Sequence, residues 1–327
     1  MSRLRSLLAT LRIANAPSVV SNVWLGFMLG WLTLSDFSNP SQMEWGKGAL
    51  ICLAGLLLYF SGNLANDWFD RNWDARMRPE RALPSGLFRP TAYLTTAIVL
   101  ASLGILLAFF LNPMSGYTAL VIVTSIAIYT YFHKRAIWAV IPMGLCRAGL
   151  YFLGYFVSWL TLDQLESIGY AAWPYAIKKL ETPAILGVGL FSYIAGLSLS
   201  ARYEGMAAAP QGPKVISLAM LILPIPAMSS SFMGRDPLFG VIGMIPFAAW
   251  LALCLTRFKK PIPRYVSALL AGIPLVDFIA AAPIALGLDR LAIQQNLSDL
   301  PHLMVLLILP LVAFVLGRAL QKLAPAT

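Results

Sequence analysis

Apolar runs near residues 17–35, 48–66, 92–111, 116–132, 137–161, 182–200, 214–233, 236–256, 265–287 and 302–320 follow one another with only short polar joints between them. Crossing ~30 Å of hydrocarbon takes about 20 helical residues, so each run predicts a transmembrane helix. Inside lipid the backbone finds no outside hydrogen-bond partner, which leaves a helical bundle as the natural solution for such long runs. The chain is 59% hydrophobic and 12% charged, well outside the range of soluble domains. No Gly/Ser-rich linker or low-complexity stretch divides residues 1–327, and a single polytopic domain is expected. The N-terminal MSRLRSLLATLRIANAP lacks a signal-peptide layout and reads as an amphipathic lead-in to a retained first helix.

A net charge of +10 raises the question of nucleic acid, but the distribution answers it differently. With the loops alternating from a cytoplasmic N-terminus, eighteen Lys and Arg fall on one side, five on the other, and Arg147 lies inside a segment. This is the positive-inside pattern. It places both termini in the cytoplasm and gives no reason to expect a nucleic-acid partner; attraction of anionic lipid and of diphosphates is a secondary effect. Cys52, Cys146 and Cys254 sit in apolar segments without metal or redox spacing and read as packing residues.

Charge is scarce in this chain, yet it gathers in N66-D-W-F-D70-R-N-W-D74-A-R-M-R-P-E-R81-A-L-P-S-G86. On a helix Asn66, Asp70 and Asp74 stand four apart on one face, with Asp67 about one turn from Asp70. Carboxylates held so close repel unless a cation lies between them, and oxygen-only ligands select a hard ion such as Mg2+. Mg2+ bound in this way keeps positions for phosphate oxygens, and the arginines that follow can hold the same phosphate. The pattern therefore points to diphosphate chemistry at a membrane surface. The plainer alternative is a solvated loop in which the aspartates pair with Arg71, Arg76 and Arg78.

The sequence N-D-x-x-D-x-x-x-D followed by R-x-L-P-S-G, after a second membrane helix, resembles the first signature of the UbiA superfamily of intramembrane prenyltransferases. Ala82 replaces the usual proline. The resemblance implies that Asn66, Asp70 and Asp74 bind Mg2+ and a polyprenyl diphosphate, with Asp67 and Arg81 at neighbouring contact positions. A second element, Y129-T-Y-F-H-K134-R135, reads from its residues alone as positive-inside anchoring. Family members carry a tyrosine and a basic residue at this loop, so the resemblance makes Lys134, supported by Arg135, a diphosphate ligand.

The second acidic motif of the family, D-x-x-x-D, is degenerate here. In L197-S-L-S200-A-R202-Y-E204-G the two positions are Ser200 and Glu204, with Arg202 between them, a variant that looks most like the divergent EboC-like branch. Glu204 is expected to help hold metal, and Arg202 to replace part of the second metal's charge. Arg147, about ten residues or roughly 15 Å into its segment, is costly there unless paired or facing a wet cavity. It is a candidate for an anionic group of the acceptor. Asp277, also mid-segment, reads equally as its ion-pair partner or as a cavity-lining acid.

The resemblance thus implies an all-α membrane protein of nine to ten transmembrane helices around a central cavity, capped by cytoplasmic loops, in a bacterial inner membrane. Its implied activity is Mg2+-dependent transfer of a prenyl group from a polyprenyl diphosphate to a lipophilic or aromatic acceptor. Asp70, Asp74, Lys134 and Glu204 would act on the reacting diphosphate. Asn66, Asp67, Arg81, Arg135, Arg147, Ser200 and Arg202 would bind substrate. One rival is an isoprenoid-diphosphate carrier without turnover, suggested by the degenerate second motif. The other is a transporter, which the absence of an internal repeat disfavours.

Overall fold

A computed structural model of the chain describes residues 3–34, 43–159, 172–203, 211–233, 236–294 and 301–324. The described residues form helices and connecting turns, without a strand. In chain order the helices are α1 (Arg3–Thr10), α2 (Ala16–Leu34), α3 (Trp45–Met77), α4 (Pro90–Leu111), α5 (Pro113–Phe132) and α6 (Val140–Tyr155). They continue with α7 (Ala172–Tyr203), α8 (Gln211–Ile222), α9 (Pro224–Met233), α10 (Pro237–Thr256), α11 (Ile262–Ala271), α12 (Ile273–Gln294) and α13 (Pro301–Leu323). Among the described residues, each of the ten apolar runs is largely helical. Nine continuous helical stretches among the described residues are long and apolar enough to cross a membrane. The tenth run became α2, whose Ser18, Ser21 and Asn22 dilute its apolar character and are all buried.

Successive helices pack side by side around a ring: α3 on α4, α4 on α5, α5 on α6, α6 on α7, α7 on α8, and α12 on α13. The ring closes where α13 packs on α2, and α2 also packs on α3, α6 and α12. Leu103, Leu106 and Phe110 of α4 and Leu238 and Ile245 of α10 are exposed, as a lipid-facing wall requires.

Two local features position the site. The first is the close approach of α2 to α6. A Cβ on Gly26 would stand 2.0 Å from the Tyr151 carbonyl oxygen, and one on Gly154 would stand 2.1 Å from the Val23 carbonyl. Only glycine lets the backbones come so near, and this brings polar groups of α2 within reach of Arg147 and Tyr151. The second is the length of α3. Its 33 residues rise about 50 Å, against ~30 Å of hydrocarbon, so its last turns emerge beyond the apolar layer. There the chain turns at Arg81–Gly86, with Gly86 at φ 74°, in the left-handed region that favours glycine. The tight turn read from L-P-S-G is present. Leu83 and Ala82 pack with Leu64, Tyr93 and Ala97, and the Tyr93 hydroxyl lies 3.0 Å from that of Thr10. This small cluster holds Arg81 back over the end of α3.

Candidate active site

Because α3 stays helical to Met77, Asn66, Asp70 and Asp74 share one face as expected, and all three are buried. Asp70 receives Lys134 Nζ at 2.6 Å and His133 Nε2 at 3.3 Å. Asp74 Oδ2 accepts from Arg81 at 2.9 Å, and Asp67 lies 3.7 Å from Arg81 and 4.0 Å from Arg12. The plain alternative named Arg71, Arg76 and Arg78 as partners, and among the described residues none of them pairs with these aspartates. Arg71 donates to the Trp68 carbonyl and lies over its ring, Arg76 donates to the Asn72 carbonyl, and Arg78 faces the cavity described next.

A cavity of about 340 Å3 opens beside this cluster. Arg12, Asn66, Arg78 and Arg81 stand at its charged end, and Leu58, Ile122, Ile126, Leu150, Ile194 and Leu197 form apolar walls. Tyr59 and Arg147 lie among them. Such a shape suits a ligand with an anionic head and a hydrocarbon tail.

Several buried oxygens here have no hydrogen-bond partner: Asn66 Oδ1, Asp74 Oδ1, Asn15 Oδ1 and Thr130 Oγ1. Buried polar atoms are rarely left so, and a ligand is one of the usual reasons. For the implied Mg2+ the donor set fits, since Asn66 Oδ1 and Asp74 Oδ1 are unused hard oxygens on one helix face, with Asp70 between them in register. Among the described residues no three His, Cys, Asp or Glu side chains converge into a metal cage.

The degenerate motif behaves differently. Ser198 and Ala201 face the cavity, whereas Ser200, about 160° round the helix from Ser198, is turned away. Its hydroxyl donates to Tyr265 at 3.0 Å beside a separate hollow of about 150 Å3, so Ser200 is not brought to the expected substrate position. Arg202 donates to the Ala136 carbonyl at 3.0 Å and reaches the His133 carbonyl at 3.5 Å, tying α7 to the loop that carries Lys134. Glu204 lies outside the described residues. Arg135 is exposed with its guanidinium 4.7 Å from the Tyr131 ring, away from the carboxylates that Lys134 reaches.

Deeper in the bundle, Arg147 and Asp277 are not a direct ion pair. Arg147 Nη1 donates to Ser18 Oγ at 3.0 Å and to Asn22 Oδ1 at 3.4 Å. Asp277, fully buried, accepts from Ser21, from Tyr151 at 2.5 Å, and from Asn22 Nδ2 at 2.8 and 3.0 Å. Asn22 therefore stands between the two charges, and Asp277 does not line the cavity.

Sequence reasoning missed Arg12, Asn15, Thr130 and the Asp70 contact of His133. Arg12 was indistinguishable from a topology anchor; it lines the cavity because its backbone takes φ 47°, ψ 49° between α1 and α2.

Residues 23–264 match the UbiA prenyltransferase family. The digeranylgeranylglyceryl phosphate synthase of Methanosarcina barkeri is 39% identical over 82 residues, which is 25% of this chain and 28% of that one. The enzyme of the same name from Korarchaeum cryptofilum is 32% identical over 111 residues, 34% and 36% of the two chains. The chain thus matches well under half the length of these curated relatives. A solved UbiA homolog from Archaeoglobus fulgidus, bound to DMAPP and Mg2+, aligns over 97% of this chain and 99% of its own, with 13% identity and a TM-score of 0.46. The family match takes in the end of α3, the loop with Lys134, all of α6 and the end of α7, and on that extent the chain belongs to the UbiA prenyltransferase family.

Proposed function

We propose that this single polytopic domain is an intramembrane prenyltransferase that moves a prenyl group from a polyprenyl diphosphate to a lipophilic or aromatic acceptor, with Mg2+ as cofactor. The observation that carries the reading is the continuity of the cavity. It runs from Arg12, Asn66, Arg78 and Arg81, of which Arg81 pairs with Asp67 and Asp74 just behind the wall, to walls of leucine and isoleucine, and Asn66 and Asp74 keep unused oxygens.

In this reading Asn66, Asp70 and Asp74 hold the ion, and Glu204 is proposed from its place in the motif as a further oxygen. Mg2+ would supply the charge that makes a diphosphate a competent leaving group. Lys134, Arg81, Arg78 and Arg12 meet the negative charge that builds on the diphosphate as the allylic C–O bond breaks and its electron pair leaves with oxygen. Fixed cations stabilise that charge without reorganising. Asp67 holds Arg81 and Arg12 in place. The apolar walls keep water from the allylic carbon, so that it bonds to the acceptor's nucleophile, which then gives up its proton. No covalent enzyme intermediate is needed. The basic excess puts the loops after α3, α5 and α7 on the cytoplasmic side.

A specific observation also favours the carrier reading: Ser200 faces away from the cavity, which leaves the second acidic motif one member short. One experiment separates the readings. The protein is placed in sealed vesicles of known orientation with Mg2+, and geranyl, farnesyl or geranylgeranyl diphosphate is added outside together with a lipid extract as acceptor source. Expected is Mg2+-dependent diphosphate release only where the cytoplasmic face is outward. Tight donor binding with no release under any acceptor condition makes the carrier reading the right one, and absence of donor binding overturns both.

A further inference from the structure

We infer that the hollow behind the end of α7 is a second ligand site, which holds the phosphate headgroup of an anionic membrane lipid between Lys214 and Lys259. The site is independent of the prenyl-transfer reading.

The hollow, of about 150 Å3, shares no lining residue with the larger cavity. Its volume equals the liquid share of about five waters, which is room for a phosphate and the glycerol next to it but not for a whole lipid. Its walls are fixed by hydrogen bonds. Ser217 donates to the Gly196 carbonyl and Ser192 to the Met220 carbonyl, both at 2.8 Å, which pins α8 against α7. A Cβ on Gly196 would stand 2.9 Å from the Ser217 carbonyl oxygen, so the two backbones nearly touch. At the back of the hollow the Ser200 hydroxyl donates to Tyr265, which ties α7 to α11, and both side chains are buried.

The polarity of the hollow is ordered along the helices. Lys214 stands in the first turn of α8, and Leu218 lies on the same face one turn deeper. α10 runs the other way: Leu255 is in its last turn, and Lys259 follows four residues later, past the helix end at Thr256. Both walls therefore set a leucine on the membrane side and an ammonium on the face that carries the basic excess. Leu218 is 41% exposed, so the apolar end opens toward lipid. Lys214 and Lys259 are exposed, and among the described residues neither is paired with an acid. Between residues 211 and 271 the sole acid is Asp236, which caps α10 about 30 Å away at its opposite end. Arg257, Lys260 and Arg264 add positive charge at the near end. Basic pockets between helices on this face of a membrane attract phosphate-bearing lipids. A soluble phosphate would satisfy the ammonium groups and leave the leucine end empty, whereas a lipid occupies both.

The test uses full-length protein in neutral detergent and native mass spectrometry, which counts the lipids retained on each protein molecule. The probes are phosphatidylglycerol and phosphatidylcholine with the same acyl chains, together with glycerol phosphate, which offers the headgroup chemistry without a tail. Wild type should retain one phosphatidylglycerol at a concentration about tenfold below that needed for phosphatidylcholine, whose choline the lysines repel. Excess glycerol phosphate should not displace it. Lys214→Gln and Lys259→Gln should each weaken retention about fivefold, and the double variant should bind the two lipids alike. Lys260→Gln makes the same charge change one residue outside the hollow, and should alter retention by less than about twofold. Because both lysines are exposed, the double variant keeps its packing, and its Mg2+-dependent binding of geranyl diphosphate should stay within about twofold of wild type. No preference for phosphatidylglycerol in wild type, or equal losses in Lys259→Gln and Lys260→Gln, would overturn the site and leave a diffuse basic surface. Displacement by glycerol phosphate that depends on the two lysines would overturn the lipid and assign the hollow to a soluble phosphate. A lysine-dependent preference without geranyl diphosphate binding would support the lipid site and count against prenyl transfer alone.

Discussion

At the mouth of the cavity carboxylate and cation meet head-on, Asp70 with Lys134 at 2.6 Å and Asp74 with Arg81 at 2.9 Å. At its floor Arg147 borders the cavity while Asp277, behind the wall, is kept apart from it by Asn22 and is filled by neutral donors. The mouth pairs are only partly shielded, with Lys134 and Arg81 side chains 33% and 26% exposed, and water screens such attraction strongly. They can therefore open to admit an ion or a diphosphate at modest cost. Around Asp277 the floor network is closed off from the cavity, and breaking it would strand a buried charge, which is far more expensive. The mouth is built to exchange partners and the floor to hold one geometry.

The largest expected effect lies at the mouth. Asp70→Asn or Asp74→Asn conserves size but removes a ligand charge, and should lower Mg2+-dependent donor binding and diphosphate release by about 100-fold. The thermal stability of the protein should move far less, because the isosteric amide keeps the packing and the partner cations Lys134 and Arg81 stay partly exposed to water. Intact Mg2+-dependent binding in both variants would reduce the mouth to a salt-bridge array and erase its contrast with the floor.

The floor should respond in the opposite sense, through stability. Gly26→Ala puts a methyl group where the Tyr151 carbonyl oxygen stands 2.0 Å away, so α2 and α6 must separate. Overpacking of this kind costs about 1–3 kcal/mol. Thermal unfolding should show that loss, while donor binding at the mouth stays within about twofold of wild type. A large loss of donor binding with unchanged stability would mean that floor and mouth are not separable.

The contrast also marks how far the sequence could be read. The described part of every apolar run is largely helical because lipid leaves the backbone no other partner, and Asn66, Asp70 and Asp74 share a face because a spacing of four is enough to fix that in a helix. Lys134, which only the resemblance set beside a diphosphate, reaches Asp70. What stayed hidden depends on tertiary placement. Arg12 counts as one basic residue among many until its left-handed backbone turns it inward. Asn22 looks like a diluted position in an apolar run until two glycine contacts bring α2 against α6. Asp277, at a depth similar to Arg147, read equally as its ion-pair partner or as a cavity-lining acid, and no spacing rule could reveal an amide between them.

The end of α7 supplies the smallest and most discriminating test, because two side chains two positions apart were expected in one site and lie in different places. Arg202 holds the carbonyls of His133 and Ala136, and through them the loop whose Lys134 and His133 grip Asp70. Ser200 donates to Tyr265 on the far side of the helix. Arg202→Ala should therefore slow diphosphate release by about tenfold, since it removes charge-assisted bonds worth about 1.5–3 kcal/mol from the loop that presents Lys134. Ser200→Ala should change release by less than about twofold, its lost neutral hydrogen bond being remote from the cavity. Ser200→Asp should give no gain in turnover, because the new carboxylate would be buried against Tyr265 with no path to the diphosphate. Equal effects of Arg202→Ala and Ser200→Ala, or faster release in Ser200→Asp, would show that α7 rotates in the working enzyme to bring position 200 to the cavity, and the second acidic motif would then be a weakened metal site.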